Sequence, residues 1–184
     1  MNYKIPLFDL SYNNLKIKEH ILSVIEKHIE TSTFIMGPDV KLFEQKFSKL
    51  IHCNYTVGVN SGTDALIIAL KVLGVGAGDE VITVPNSYIA TAQAIAIVGA
   101  KPVFVDVEKE TMNMDLNKIG PLINKNTKAI IPVHLFGYPV DIFELRNVVG
   151  VDIRIIEDCA QSHGAKVGES FTGSMGDINC FSLH

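Results

Sequence analysis

EVITVPNSYIATAQAIAIVGAKPVFVDV, residues 80–107, decides how this chain folds. Val81, Ile82 and Val84 form a short β-branched run that ends at Pro85. Small and apolar residues from Ala90 to Val98 follow at helical spacing, Gly99 stops them, and Pro102–Val107 resume a β-branched run. Strand, helix, strand in so short a span is one right-handed crossover between two parallel strands. Apolar residues stand at consecutive positions in the strand runs, so helices are expected to cover both faces of the sheet.

The same rhythm extends in both directions. YTVGV (55–59) and TDALIIALKVL (63–73) precede it; DLNKIGPLI (115–123), TKAIIPVHLF (127–136), DIFELRNVV (141–149) and DIRIIED (152–158) follow. Strand-type runs alternating with helical ones predict an α/β fold with a mostly parallel sheet. Residues 1–54 read differently, as an N-terminal helical segment before a cofactor-binding-type domain over 55–184. Leu15, Ile17, Ile21, Leu22, Ile25 and Ile29 recur on one face of a helix. Gly37 and Pro38 restart the pattern, and Val40, Phe43, Phe47 and Leu50 form the buried stripe of a second helix. GVGAGDE (74–80) follows a helix and precedes a strand, so it reads as a helix stop and turn.

Composition narrows the class of function. Sixteen basic against twenty acidic residues, net charge −4, and no basic cluster argue against nucleic acid as partner. No apolar run reaches the length of a membrane span and the N-terminus carries no secretory pattern, so a cytoplasmic protein without membrane association is expected. Cys53, Cys159 and Cys180 lack metal or disulfide spacing and read as reduced, buried thiols. No metal is expected.

In parallel sheets ligands sit beyond the carboxyl ends of the strands. Three such places carry chemistry. In VGVNSGTDALIIAL (57–70) the turn Ser61–Gly62 opens a helix at about Thr63, whose free N–H groups and positive dipole end suit an anion. Plain capping by Ser61 or Thr63 explains the same residues. In VPNSYIATAQAI (84–95) Tyr88 opens the next helix, where its ring either packs or stacks on a flat ligand. In IIEDCAQSHGA (155–165) Asp158 ends a strand, as a cap or as the partner of a heteroaromatic cation, with Gln161 three residues on. His134 reads as a satisfied strand-end residue. His163 stands near Asp158, in reach of a ligand there, while His20, His28 and His52 carry no evident chemistry.

Phosphate anchor, stacking ring and buried carboxylate together suit pyridoxal 5'-phosphate. SGTDAL, PxxYIATA and EDCAQSHGA, with VGAGDEVI and KPVFVDV between them, resemble the DegT/DnrJ/EryC1/StrS sugar aminotransferases, within the fold-type I pyridoxal phosphate enzymes. The resemblance runs from about Pro6 to the last residue. It implies a three-layer α/β/α large domain. Gly62, Thr63 and Ser182 are implied to hold the phosphate, Tyr88 to stack on the ring, Asp158 to pair with the ring nitrogen and Gln161 to meet the ring hydroxyl. His163 is a further catalytic candidate.

The implied reaction moves an amino group, commonly from glutamate, to a keto-sugar linked to a nucleotide, in a homodimer serving amino-sugar and polysaccharide biosynthesis. The Schiff-base lysine of that pattern is expected a few residues beyond His184. On this reading the chain stops short of the rest of the large domain and the small domain, and Lys166 does not fit the lysine's place. Two other readings stay open: a nucleotide-sugar 3-dehydratase of the same family, or a non-catalytic, regulatory pyridoxal-phosphate-binding protein. A dinucleotide-binding dehydrogenase is disfavoured, because the first strand-turn-helix lacks GxGxxG.

Overall fold

A computed structural model describes residue 6 and residues 9–183 of the chain, which divides into two compact units, Met1–Phe43 and Glu44–His184. The first holds α1 (Ser11–Thr31), which stops where Ser32 turns left-handed, with φ 52°. His28 then ties the turn that follows: its Nδ1 meets the Thr33 carbonyl at 2.9 Å and its Nε2 meets Asp39 at 3.0 Å. Pro38 opens α2 (Pro38–Leu50), as its fixed φ and missing N–H suit. The periodicity of both helices is as expected, but the burial is not. No residue of α1 or α2 is buried, and Leu15, Ile21, Ile25 and Ile29 are all exposed. An apolar stripe says that a helix has a face for covering; it does not supply the cover.

The second unit is built on a five-stranded, all-parallel sheet. Its strands are β1 (Glu80–Thr83), β2 (Lys101–Phe104), β3 (Thr127–Ile131), β4 (Arg154–Asp158) and β7 (Ile178–Cys180), in the order β2-β1-β3-β4-β7. Between β4 and β7 stands a small antiparallel hairpin of β5 (Lys166–Val167) and β6 (Ser170–Phe171). Three helices cover the sheet: α3 (Gly62–Val72), α4 (Ala90–Ile97) and α5 (Ile142–Val149). Successive strand residues point to opposite faces, so neighbours in sequence serve different cores. Val81, Ala129, Ile131 and Ile156 pack with Leu66 and Leu70 of α3 and Ala94 and Ile95 of α4. Ile82, Ile130 and Ile155 pack with Ile142, Leu145 and Val149 of α5. The outcome is the expected three layers, and each large side chain so buried stabilises the fold by about 1.5–3 kcal/mol.

Two expected elements take another form. Residues 55–59 hold no strand, because a strand exists only through a ladder partner and the described residues offer none. Residues 115–123 hold two 3₁₀ turns, Leu116–Lys118 and Gly120–Leu122, in place of a helix. Pro121 lacks the N–H that an α-helix would need there, and its ring crowds the turn before it.

The strand order places the site. From β1 the chain crosses first to β2 on one side and then to β3 on the other, so a crevice opens beyond the carboxyl ends of β1 and β3, where the direction of winding reverses.

Candidate active site

Around that crevice the structure gathers the loops after β1, β3, β4 and β7, and the N-terminus of α3. Ser61, extended at φ −158°, caps α3: its Oγ accepts the Asp64 N–H at 3.0 Å. The capping reading of Ser61 therefore holds, and its hydroxyl is committed to the helix. Among the described residues no protein acceptor meets the N–H groups of Gly62 and Thr63, the first of the helix. Ser182, just past β7, comes up against them. A Cβ at Gly62 would lie 2.8 Å from the Ser182 Cβ and 3.2 Å from its Oγ, so only glycine admits this approach. The first N–H groups of α3 and the Ser182 side chain thus stand close together, at a helix end whose dipole favours an anion.

Asp158, the last residue of β4, is held from four directions. Its N–H donates to the Pro132 carbonyl at 2.9 Å and its carbonyl accepts the His134 N–H at 3.1 Å, which fastens its peptide to the end of β3. Oδ2 accepts the Thr91 hydroxyl at 2.8 Å, and Oδ1 accepts the Ala160 N–H at 3.2 Å. The residue is 6 % exposed and no ion pair forms with it among the described residues. Burial pushes its pKa up, against the Thr91 and Ala160 hydrogen bonds that pull it down. A buried carboxylate with no cation beside it is costly, and a cationic ligand would relieve that cost.

Tyr88 lies between β1 and α4 with its side chain 76 % exposed and its carbonyl accepting the Thr91 N–H at 3.3 Å. Gln161 lies in the turn after β4 and is also exposed. Its Oε1 accepts the Phe136 N–H at 2.7 Å. The exposed ring of His163 rests on Phe181, centroids 5.3 Å apart, and Phe181 sits edge-on to Phe47 at 5.0 Å. Lys166 is on the β5–β6 hairpin with its Nζ 4.3 Å above the Phe171 ring.

Beneath the crevice lies a polar knot that the sequence did not announce. Glu157 is fully buried, on the α5 side of the sheet, and its Oε1 accepts N–H groups from Met175 at 2.8 Å and Gly176 at 2.6 Å. Its Oε2 accepts the Gly173 N–H at 2.9 Å and meets His134 Nε2 at 2.9 Å. His134 Nδ1 accepts the Val140 N–H at 2.9 Å, so Nε2 carries a proton and donates it to Glu157. These donors hold the Glu157 carboxyl below the usual range although burial pushes the other way. His134, Glu157 and Cys159 cluster closely enough to suggest a metal site. Yet His134 has no lone pair to spare and the Glu157 oxygens are saturated with donors, so the cluster is a structural tie. It joins β3, β4 and the loop that leads to β7 and Ser182. His134 is thus the satisfied strand-end residue it was read as. Cys159 and Cys180 are buried, with the Cys180 thiol pushed up to about 12, so both remain inert thiols; Cys53 is only half-buried.

Thr91, Glu157 and Phe136 were not singled out in the sequence. Glu157 left a trace there, an acidic residue inside an apolar strand. Thr91 left none, because it meets Asp158 across 67 positions.

The profile of the DegT/DnrJ/EryC1/StrS aminotransferase family matches residues 15–184. A UDP-N-acetyl-3-dehydro-alpha-D-glucosamine 3-aminotransferase of Acidithiobacillus ferrooxidans is 44 % identical over 99 % of the chain and 50 % of its own length. A dTDP-3-amino-3,6-dideoxy-alpha-D-galactopyranose transaminase of Aneurinibacillus thermoaerophilus is 38 % identical over 97 % of the chain and 50 % of its own length. Among solved structures, Streptomyces venezuelae DesV in complex with a ketimine intermediate superposes with a TM-score of 0.94 at 33 % identity, over 100 % of the chain and 50 % of DesV. The chain spans about half the length of the curated relatives it matches.

Proposed function

The chain belongs to the DegT/DnrJ/EryC1/StrS aminotransferase family, and from that premise we propose that the protein carrying it is a pyridoxal-phosphate-dependent aminotransferase. It moves an amino group, from glutamate, to the keto group of a nucleotide-linked sugar, as a cytoplasmic homodimer in amino-sugar and polysaccharide biosynthesis. The observation that carries this reading is Asp158: a buried carboxylate with no cation beside it among the described residues, at the mouth of a parallel sheet, in the same crevice as an anion cradle. A cofactor with a basic ring nitrogen at one end and a phosphate at the other complements both. No helix among the described residues is long and apolar enough to cross a membrane.

The residues fit that cofactor. The N–H groups of Gly62 and Thr63 and the Ser182 hydroxyl hold the phosphate. Tyr88 covers one face of the ring. Gln161 donates to the ring hydroxyl, since its Oε1 is already taken by Phe136. Asp158 keeps a proton on the ring nitrogen; Thr91 and Ala160 hold its two oxygens in place while it does so. Bound in this way, pyridoxal phosphate supplies an electron sink for the carbon that loses its proton during amino transfer. His163, exposed and resting on Phe181 beside Ser182, is the side chain assigned to touch the substrate.

Incubation of the purified protein with pyridoxal phosphate, glutamate and a panel of nucleotide keto-sugars, followed by mass spectrometry of the sugar, tests the proposal. The expected product carries an amine in place of the keto oxygen. A sugar that loses a hydroxyl and gains no amine would instead identify a dehydratase, and an unchanged sugar with no cofactor bound would reject both.

A further inference from the structure

The loop after β3 is strained at one position. Leu135–Phe136–Gly137–Tyr138 is a tight turn closed by the Tyr138 N–H on the Leu135 carbonyl at 3.0 Å. Both central residues have positive φ, 53° at Phe136 and 84° at Gly137. A turn of this hand takes Asn, Asp or Gly at its first central position, and a bulky aromatic there is an outlier. Burial of the ring does not compensate, because Phe136 is 84 % exposed. The turn is nevertheless clamped. Leu135 donates its N–H to Asn113 Oδ1 at 3.3 Å, and Asn113 Nδ2 donates to the Tyr138 carbonyl at 2.8 Å. A strained residue held this firmly beside a ligand crevice points to a use.

The use lies in what the left-handed backbone does with its N–H. At φ 53° the Phe136 N–H is aimed at Gln161, whose Oε1 accepts it at 2.7 Å. A backbone N–H is only a donor, so the Gln161 carboxamide cannot flip without setting donor against donor. Its NH₂ end is therefore the end left for a ligand, and the ligand atom there must be an acceptor. We propose that Phe136 is a positioning residue: its left-handed backbone holds Gln161 with the NH₂ facing the oxygen of the cofactor ring. This rests on the cofactor reading above.

Two substitutions separate backbone from ring. Phe136→Asn and Phe136→Val both remove the exposed ring. Asn adopts the left-handed conformation readily, whereas a β-branched residue does not. Pyridoxal phosphate is titrated into the purified protein by visible absorption, over a range of pH. Phe136→Asn is expected to bind with the parent Kd, and Phe136→Val about tenfold more weakly, the effect of one hydrogen bond to a charged oxygen. In Phe136→Val the pH at which the ring hydroxyl ionises also rises, because a donor to its anion is gone. Gln161→Ala reproduces both changes, and adding Phe136→Val to it causes no further loss. Amide hydrogen exchange at Phe136, slow in the parent, quickens in Gln161→Ala, which keeps the test valid should Phe136→Val fold poorly. Equal losses in Phe136→Asn and Phe136→Val would assign the role to the ring and overturn the proposal, as would no loss in either. Absence of binding by the unsubstituted protein would reject the cofactor reading itself.

Discussion

Replacing Glu157 by glutamine keeps the shape of the buried carboxylate and removes its charge, which makes it a sharp test of the knot under the active site. Four donors converge on Glu157: the N–H groups of Gly173, Met175 and Gly176, and Nε2 of His134. A carboxamide oxygen can serve Met175 and Gly176, but its NH₂ then faces the Gly173 N–H and the His134 Nε2–H. Moving the histidine proton to Nδ1 frees Nε2 to accept, yet sets Nδ1–H against the Val140 N–H that Nδ1 accepts at 2.9 Å. At least two buried donors stay unsatisfied in either tautomer. At about 1–3 kcal/mol each, the loss is roughly 2–6 kcal/mol, a large share of the stability of a domain. Urea unfolding at pH 7 measures it. The pH dependence supplies a second check. Because the folded-state pKa of Glu157 is lowered, its contribution is present above the unfolded value, about 4.3, and is lost as pH falls through the folded value. The gap between parent and variant should therefore narrow below about pH 4. A Glu157→Gln protein within about 0.5 kcal/mol of the parent at pH 7 would refute the knot as a determinant of stability.

Asp158→Asn should weaken pyridoxal phosphate binding by about a hundredfold or more, since a buried ion pair is broken from one side. The same change should leave the cofactor-free protein as stable or more so at neutral pH: the raised folded pKa means that stability is lost as pH rises through it, and asparagine has no such loss. Calorimetry without cofactor and titration with it check the two halves, and a large fall in the cofactor-free melting temperature would count against the argument. Tyr88→Ala should change stability by less than about 0.5 kcal/mol, because the ring is exposed, while cofactor dissociation measured by dialysis quickens by about tenfold. Gly62→Ala puts a Cβ 2.8 Å from that of Ser182, so the cradle must open; a destabilisation of about 1–3 kcal/mol and weaker binding of inorganic phosphate are expected, by unfolding and by isothermal titration.

Much of this protein was legible before any coordinates. Consecutive β-branched residues at 81–84, 130–131 and 155–156 require helices on both faces, and the intervening helical spacing requires parallel crossovers, so the sequence alone determined the layered α/β architecture. It also marked where ligands go, because the residues that end strands are the residues at the mouth of such a sheet. Gly62, Tyr88 and Asp158 are singled out in this way, while Ser182 is implied by the family resemblance alone. Tertiary structure decided the rest, for reasons of partnership. Periodicity shows that a segment has an apolar face or a β tendency, but the cover and the ladder come from distant chain: residues 55–59 lack a partner strand among the described residues, and α1 lacks burial. Hydrogen bonds across the fold have no local signature either. Thr91 reaches Asp158, His134 reaches Glu157 and Phe136 reaches Gln161 only because parallel crossovers bring the carboxyl ends of separate strands to one edge. The sequence determined which side chains stand at the mouth; the folded chain decided which oxygen, which proton and which end of an amide each of them presents.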